Sequence, residues 1–396
     1  MGPAPRGPGD PALAISGGTL ARRDGSEQEV GGAGWADEAA QAACLGEAIE
    51  RLAPAPARRD RLITASYAGW PLRDEPAVPP TAWVLFHPEQ HAQPGFPFAP
   101  FGPHTECEWV AFRELLSGDP RWVPLELGYL QPGPRPHRIA PGVSTGLAAA
   151  STREQALLRG LQEVLERDAL VGAWWGRYPL EPWPSAAVLA QLEGAAARVE
   201  RPGLELAFWR IDTPWAGHVT VCAATRRDAR GPLLALGSAC RETRAASWEK
   251  SLLEALQGLP YVDRLREELR RGERPPPERL ASFADHALYY TAHPERLGET
   301  PLGRAGGGVV PEPPAPGALE RLPALAARLG PDRPVLWRIM TPPEVGWAHD
   351  DWHVLRVVVP GLQPLHGVAA LAHLGGPLWA PRGLREHLAA PPHPFA

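Results

Sequence analysis

Cysteine is scarce and carries no pattern. The four in this chain, Cys44, Cys107, Cys222 and Cys240, include no C-x-x-C pair, which argues against a zinc ribbon or a redox motif. Cys44 lies in an apolar helical stretch and reads as a small buried hydrophobe rather than a nucleophile. Long hydrophobic runs are missing too. Nothing approaches the ~20 apolar residues that span a bilayer, and Met1–Asp10 lacks the apolar centre of a secretory signal. The expectation is a cytoplasmic protein without a membrane partner. Positive charge is not in excess: the formal net charge of −5 leaves little to neutralise a run of phosphates and argues against nucleic acid. No G-x-x-x-x-G-K-[ST] loop, kinase motif set, strand-following G-x-G-x-x-G or H-E-x-x-H occurs, so the common nucleotide and metalloprotease signatures are excluded.

Proline (49) and glycine (41) are abundant and sit mostly in connectors, while 44% of the 396 residues are hydrophobic, enough for a sizeable core. Residues 1–30 lack periodicity and read as a flexible tail; residues 31–396 read as one large α/β unit. A helix is expected from about Ala36 to Leu52, ending before Pro54. Short strands such as Ala82–Phe86 and Glu108–Phe112 follow, broken by proline turns. Thr152 is a candidate N-cap, with Gln155 completing a capping box, for a second helix reaching about Trp175. Strands are expected at Leu204–Ile211, His218–Ala223 and Leu233–Ser238, a third helix over about Thr243–Leu256, and a late strand at Val354–Val359. The charged stretch Asp263–Arg279 reads as a solvated helix and linker. His349 and His353, beside Asp350 and Asp351, read as a polar loop, and Gly306–Gly308 as a flexible turn.

The informative chemistry is a near-repeat. Glu47-Ala48-Ile49-Glu50-Arg51 and Glu163-Val164-Leu165-Glu166-Arg167 both read E-x-x-E-R inside apolar helices, and a third helix carries Glu254-Ala255-Leu256-Gln257. Spacing of i, i+3 puts each pair on one helix face. Like charges partly removed from water call for a cation. Clustered carboxylates without His or Cys suit Mg²⁺, which usually arrives with phosphates, and Arg51 and Arg167 have the fork geometry that phosphate oxygens accept. A solvated helix face with local ion pairs is the simpler account of one such motif; two copies and a third variant point to a metal–nucleotide site.

These blocks resemble the YcaO family. Ser144-Thr145-Gly146-Leu147-Ala148-Ala149 and the helix through Leu161–Ala169 are similar to its central signature. Gly32-Ala33-Gly34-Trp35 through Arg51 resembles its N-terminal signature, Leu236 through Gly258 its third helix, and Val357-Val358-Val359-Pro360-Gly361-Leu362-Gln363-Pro364-Leu365 its late strand and turn. The resemblance implies an α/β fold of mixed sheets packed with long helices, binding ATP without a phosphate loop. It implies Mg²⁺ on Glu47, Glu50, Glu163 and Glu166, and nucleotide contacts from Ser151, Gln155, Arg51, Arg167, Glu254 and Gln257.

The implied reaction adds a substrate Cys, Ser or Thr side chain to the preceding amide carbonyl, phosphorylates the oxyanion with ATP and expels phosphate, leaving an azoline. Azoline-forming members often end in P-x-P-x-P; the proline-rich end (389–396), with Pro392, Pro394 and terminal Ala396, resembles it and is expected to be catalytic. The implied partners are a precursor peptide, a separate ThiF-like or ocin-type leader-binding protein, a flavin dehydrogenase where azolines are oxidised, and a second copy of the chain. Thioamide or amidine formation, or a non-catalytic scaffold, are the alternatives. The scaffold reading rests on departures from the family pattern: Ala33 replaces its lysine, Ala43 its serine, Ser151 its asparagine, Gln155 a glutamate and Leu259 an arginine.

Overall fold

The computed structural model describes residues 2–3, 10–21, 27–52, 61–130, 133, 137–215, 217–304, 322–342, 345 and 352–395. In chain order the strands are β1 (Gly2–Pro3), β2 (Ala14–Ala21), β3 (Glu27–Gly34), β4 (Leu62–Ala65), β5 (Cys107–Glu114), β6 (Pro120–Pro124), β7 (Leu147–Ala150), β8 (Leu180–Trp183), β9 (Leu204–Ile211), β10 (His218–Asp228), β11 (Gly231–Arg241), β12 (Leu336–Ile339) and β13 (His353–Val358). The helices that matter below are α1 (Asp37–Arg51), α2 (Arg153–Trp174), α3 (Arg244–Arg270) and α4 (Phe283–Ala292). The strands form three sheets, β1-β2-β3, β11-β10-β9-β8 and β4-β5-β12-β13-β7, with β6 added beside β5. The expected α/β class, sheets packed with long helices, is observed, and every ladder between these strands is antiparallel.

α2 is the central helix. Of its 22 residues 14 are buried, including Leu161, Leu165 and Leu170, which is the pattern of a helix covered on nearly all sides. Each such leucine contributes about 1.5–3 kcal/mol on burial. α1 and α3 lie unusually close to their preceding strands, because glycine faces them. A Cβ at Gly32 would fall 2.3 Å from Cys44 N, and one at Gly237 would fall 2.2 Å from Ser251 O. Helix and strand backbones therefore touch directly, and residues at a fixed offset along each helix return to the strand that feeds it.

Several expectations are corrected. The segment before residue 31 is not a tail throughout. β2 and β3 form a hairpin from Ala14–Gly34 to Ala21–Glu27, Leu13 and Ala14 are buried, and Ala12 N donates to Arg198 O at 2.8 Å. Glycine and single polar residues hid the period-two alternation there. Ala82–Phe86 is not a strand: Pro80–Ala82 is a single 3₁₀ turn, and Phe86 instead stacks on Phe98 at 5.0 Å. Helix α3 runs past Leu256 and through Pro260 to Arg270. Leu259, Val262 and Leu265 continue its buried stripe, and Arg266 pairs with Asp228 (2.9 Å) and Asp263 (2.7 Å), so tertiary packing overrides the proline. The capping box is half made. Thr152 accepts from Gln155 N at 3.2 Å, but the Gln155 amide oxygen accepts from Ser151 Oγ instead, at 3.2 Å. His349, Asp350, Asp351 and Gly306–Gly308 lie outside the described residues, while His353 opens β13. No helix among the described residues is long and apolar enough to cross a membrane.

Candidate nucleotide and metal site

Three strand–helix units build the site, and each sends a glutamate back to its own strand. Glu47 on α1 accepts from Gly31 N at 2.8 Å, Glu163 on α2 from Gly146 N at 3.1 Å, and Glu254 on α3 from Ser238 N at 3.3 Å. The residue three positions on then faces another unit. Glu50 stands in the field of Glu163. Glu166 reaches β11, accepting from Ser238 Oγ at 2.7 Å and Cys240 N at 3.0 Å. Gln257 lies over β3, its Nε2 3.0 Å from where a Gly31 Cβ would be. The second residues of the motifs thus link α1 to α2, α2 to α3 and α3 back to the α1 unit.

Electrostatics divide the acids. Burial first, then the neighbouring Glu163 and Glu47, push Glu50 up to about 8, against the pull of Arg51 and Arg356. Glu163 is raised by burial and by Glu166, with Arg167, the Gly146 N–H and Arg356 opposing. Glu254 goes the other way: burial is outweighed by Lys250, Arg241 and Arg167, and its carboxyl is held low. Glu50 and Glu163 keep 20% and 26% of their side-chain surface, so a ligand can reach them.

The arginines of the two motifs close on their own acids. Arg51 lies 3.4 Å from Glu47 and 3.7 Å from Glu50; Arg167 lies 3.6 Å from Glu163 and 3.3 Å from Glu166. Ser151 and Gln155 are exposed at the start of α2; Gln155 is two helical turns, roughly 12 Å of rise, before Glu163. Arg159 fills the turn between, bound to Glu242 at 2.8 Å and Gln162 at 2.7 Å. Pro392 and Pro394 pack into the body, and Ala396 lies outside the described residues. Trp174 Nε1 donates to Pro391 O at 2.7 Å and Tyr290 Oη to Pro392 O at 2.6 Å. The Arg167 charge reaches His393 between the two prolines, adding to burial and His286 in lowering its pKa.

Sequence reasoning missed Arg356, and it is the most telling residue of the site. The residue is 2% exposed and stands in the field of Glu163 and Glu50, while burial lowers its pKa to about 10. Nη2 donates to Leu127 O at 3.4 Å, but Nε and Nη1 have no partner among the described residues. The available signal was a single charge in the apolar run Val354–Val359. Lys250, the only lysine in the sequence, was also missed; it pairs with Glu254 at 3.1 Å.

Among the described residues no three of these carboxylates form a ready ligand cage; the only such group is a set of histidines elsewhere. That fits Mg²⁺, which takes one or two carboxylates and completes its shell with phosphate oxygens and water. Two raised, mutually repelling carboxyls and an arginine with unpaired donors are what an arriving cation and phosphate would satisfy. A cleft of about 480 Å³ leads away from Arg51, past Gly142–Thr145 and Phe283, to His366.

A family model described as "YcaO cyclodehydratase, ATP-ad Mg2+-binding" matches residues 31–363. The chain belongs to the YcaO family. Among solved structures, a heterocyclase in complex with substrate and cofactor shares 20% identity at a TM-score of 0.70, over 98% of this chain and 53% of its own. The chain thus spans about half the length of that heterocyclase. YcaO from Methanopyrus kandleri, bound with AMPPCP and Mg²⁺, gives 20% identity and a TM-score of 0.60 over 90% of this chain and 84% of its own. The E. coli microcin synthetase McbBCD complex gives 13% and 0.62 over 100% and 96%. Comparison with curated proteins gives no match. At these identities the likeness shows the YcaO fold.

Proposed function

We propose that this YcaO protein is an ATP- and Mg²⁺-dependent cyclodehydratase that turns Cys, Ser or Thr of a ribosomally made precursor peptide into thiazoline or oxazoline. The observation that carries the reading is the meeting of Glu50 and Glu163 with the half-unpaired guanidinium of Arg356 in one buried site. Bound ATP and Mg²⁺ supply a phosphoryl group that makes the amide oxygen a good leaving group. The chain's own part is placement. Glu50 and Glu163 hold the metal, with Glu47 as a further ligand. Arg356 presents Nε and Nη1 to phosphate oxygens, where a charge-assisted bond stabilises transferring charge. Glu166, engaged by Ser238 and Cys240, fixes α2 against β11 and steers Arg167, while Glu254 and Gln257 wall the site. Ser151 and Gln155, two turns away, are assigned to the base or ribose end. The cleft from Arg51 to His366 is assigned to the peptide, and His366, which meets the His393 ring edge-on, links it to the segment of Pro392 and Pro394.

A leader-binding partner of ThiF-like or ocin type delivers the precursor. The test combines chain, partner, precursor and Mg-ATP and follows peptide mass with phosphate release. Loss of one water per ring, matched by one phosphate, supports the proposal. Sulfur in place of an amide oxygen would make it a thioamide enzyme, and nucleotide binding without product would favour a scaffold.

A further inference from the structure

Five imidazoles, those of His286, His366, His373, His387 and His393, gather outside the paired-glutamate motifs. Three of them belong to distant segments: His286 to α4, His366 to the loop after β13, and His393 to the segment holding Pro392 and Pro394. They are 0%, 6% and 3% exposed, and one nitrogen of each lies within 4.8 Å of the others. The His286 and His393 rings stack at 3.9 Å between centroids, and His366 meets His393 edge-on at 4.6 Å.

Their tautomers follow from their partners. His286 Nδ1 contacts His393 O at 2.7 Å, and His393 Nε2 contacts His366 O at 2.8 Å. A carbonyl only accepts, so both of these nitrogens carry the proton. The lone pairs are then on His286 Nε2 and His393 Nδ1, and among the described residues neither has a partner; His366 Nδ1 has none there either. Burial lowers the pKa of all three, so the rings are neutral. Lone pairs buried without a donor each cost about 1–3 kcal/mol. Neutral imidazoles steered by backbone carbonyls are the usual form of histidine ligands.

We propose that His286, His366 and His393 form a zinc site that pins the Pro391–Phe395 segment to α4 and to the loop after β13. Three imidazoles suit Zn²⁺ and its borderline neighbours and are poor ligands for the oxygen-seeking Mg²⁺. Tetrahedral Zn–N bonds of about 2.0–2.1 Å require the nitrogens to approach to roughly 3.3 Å. The stacked pair therefore turns about its ring bonds on loading. The fourth position is left for water or for His387, whose Nδ1 is also unpartnered and whose ring lies 5.5 Å from His366. His366 lines the cleft described above, which gives the ion a way in. The site is independent of the nucleotide reading.

The test uses the full chain without a polyhistidine tag, stripped by chelator and titrated with Co²⁺. One equivalent per chain with the visible bands of tetrahedral cobalt, displaced by Zn²⁺, is expected. His286→Ala and His366→Ala should each weaken Co²⁺ at least tenfold while the circular dichroism spectrum is kept. X-ray absorption on the zinc-loaded wild-type chain needs no variant and should show a shell of about three imidazoles. No stoichiometric binding, equal binding by both variants, or a shell without imidazole would each overturn the site.

Discussion

Glu50 on α1 and Glu163 on α2 are far apart in sequence, yet each helix delivers its acid to the same buried place, where the charge of Glu163 adds to burial in raising Glu50. The pair is poised against itself, and the closeness of the α1 and α2 units keeps it so. A divalent cation bound by both acids would turn that repulsion into attraction.

The first consequence is a pH dependence. Glu50 moves from an ordinary 4.5 to about 8 in the folded chain. A carboxyl raised in this way favours the folded state below its unfolded pKa, and the benefit is lost as pH rises through the folded value. The metal-free protein should therefore lose stability between about pH 4.5 and 8, seen in urea midpoints across that range. Glu50→Gln should flatten the slope and raise the midpoint at pH 8. Magnesium–nucleotide binding near pH 7 should release protons, read by calorimetry in buffers of different ionisation enthalpy, and the variant should release fewer and bind more weakly.

Arg356 gives the second. If its unpaired Nε and Nη1 serve phosphate, Arg356→Gln removes charge-assisted bonds of about 1.5–3 kcal/mol, a loss of roughly 10–100-fold in Mg-ATP affinity. Titration calorimetry checks it. Unchanged affinity would return Arg356 to a counter-ion for Glu50 and Glu163.

The site was partly legible before the fold was known, for physical reasons. Paired glutamates on apolar helices stand out because water cannot solvate both, and α1, α2 and β9 fall where periodicity puts them. Arg356 and the histidines did not stand out, since each is a single polar residue whose partners come from elsewhere in the chain. His286 and His393 are 107 residues apart, and no spacing rule joins them. The β2–β3 hairpin was hidden by the glycines that let α1 approach. The end of α3 was hidden by Pro260, whose cost is outweighed by Leu259, Val262 and Leu265. Packing decides such cases, and packing is not a local property.

Close approach supplies a third prediction. Gly237→Ala places a methyl group 2.2 Å from Ser251 O and 2.4 Å from Ala255 N, both of them helix backbone that cannot rotate away. α3 must lift from β11, carrying Glu254 from Ser238. Destabilisation of about 1–3 kcal/mol is expected from overpacking, as a lower urea midpoint with weakened nucleotide binding. Gly258→Ala is the milder control, because its added atom meets only the Ala235 Cβ, at 3.0 Å.

The last prediction separates chemistry from binding. Tyr290 Oη donates to Pro392 O at 2.6 Å, while Trp174 holds Pro391 O from the other side. Tyr290→Phe keeps the ring, and its contact with Trp174, but frees the carbonyl. The net stability cost of one such bond is about 1 kcal/mol, visible as a small shift in the urea midpoint. If the Pro392–Pro394 segment acts on the peptide amide, its loosening should lower kcat several-fold. KM for ATP should stay unchanged, because the proposed nucleotide contacts lie on α1, α2 and Arg356. A matched rise in KM for ATP would place the segment in the nucleotide pocket, and no change in either constant would leave it a structural strap.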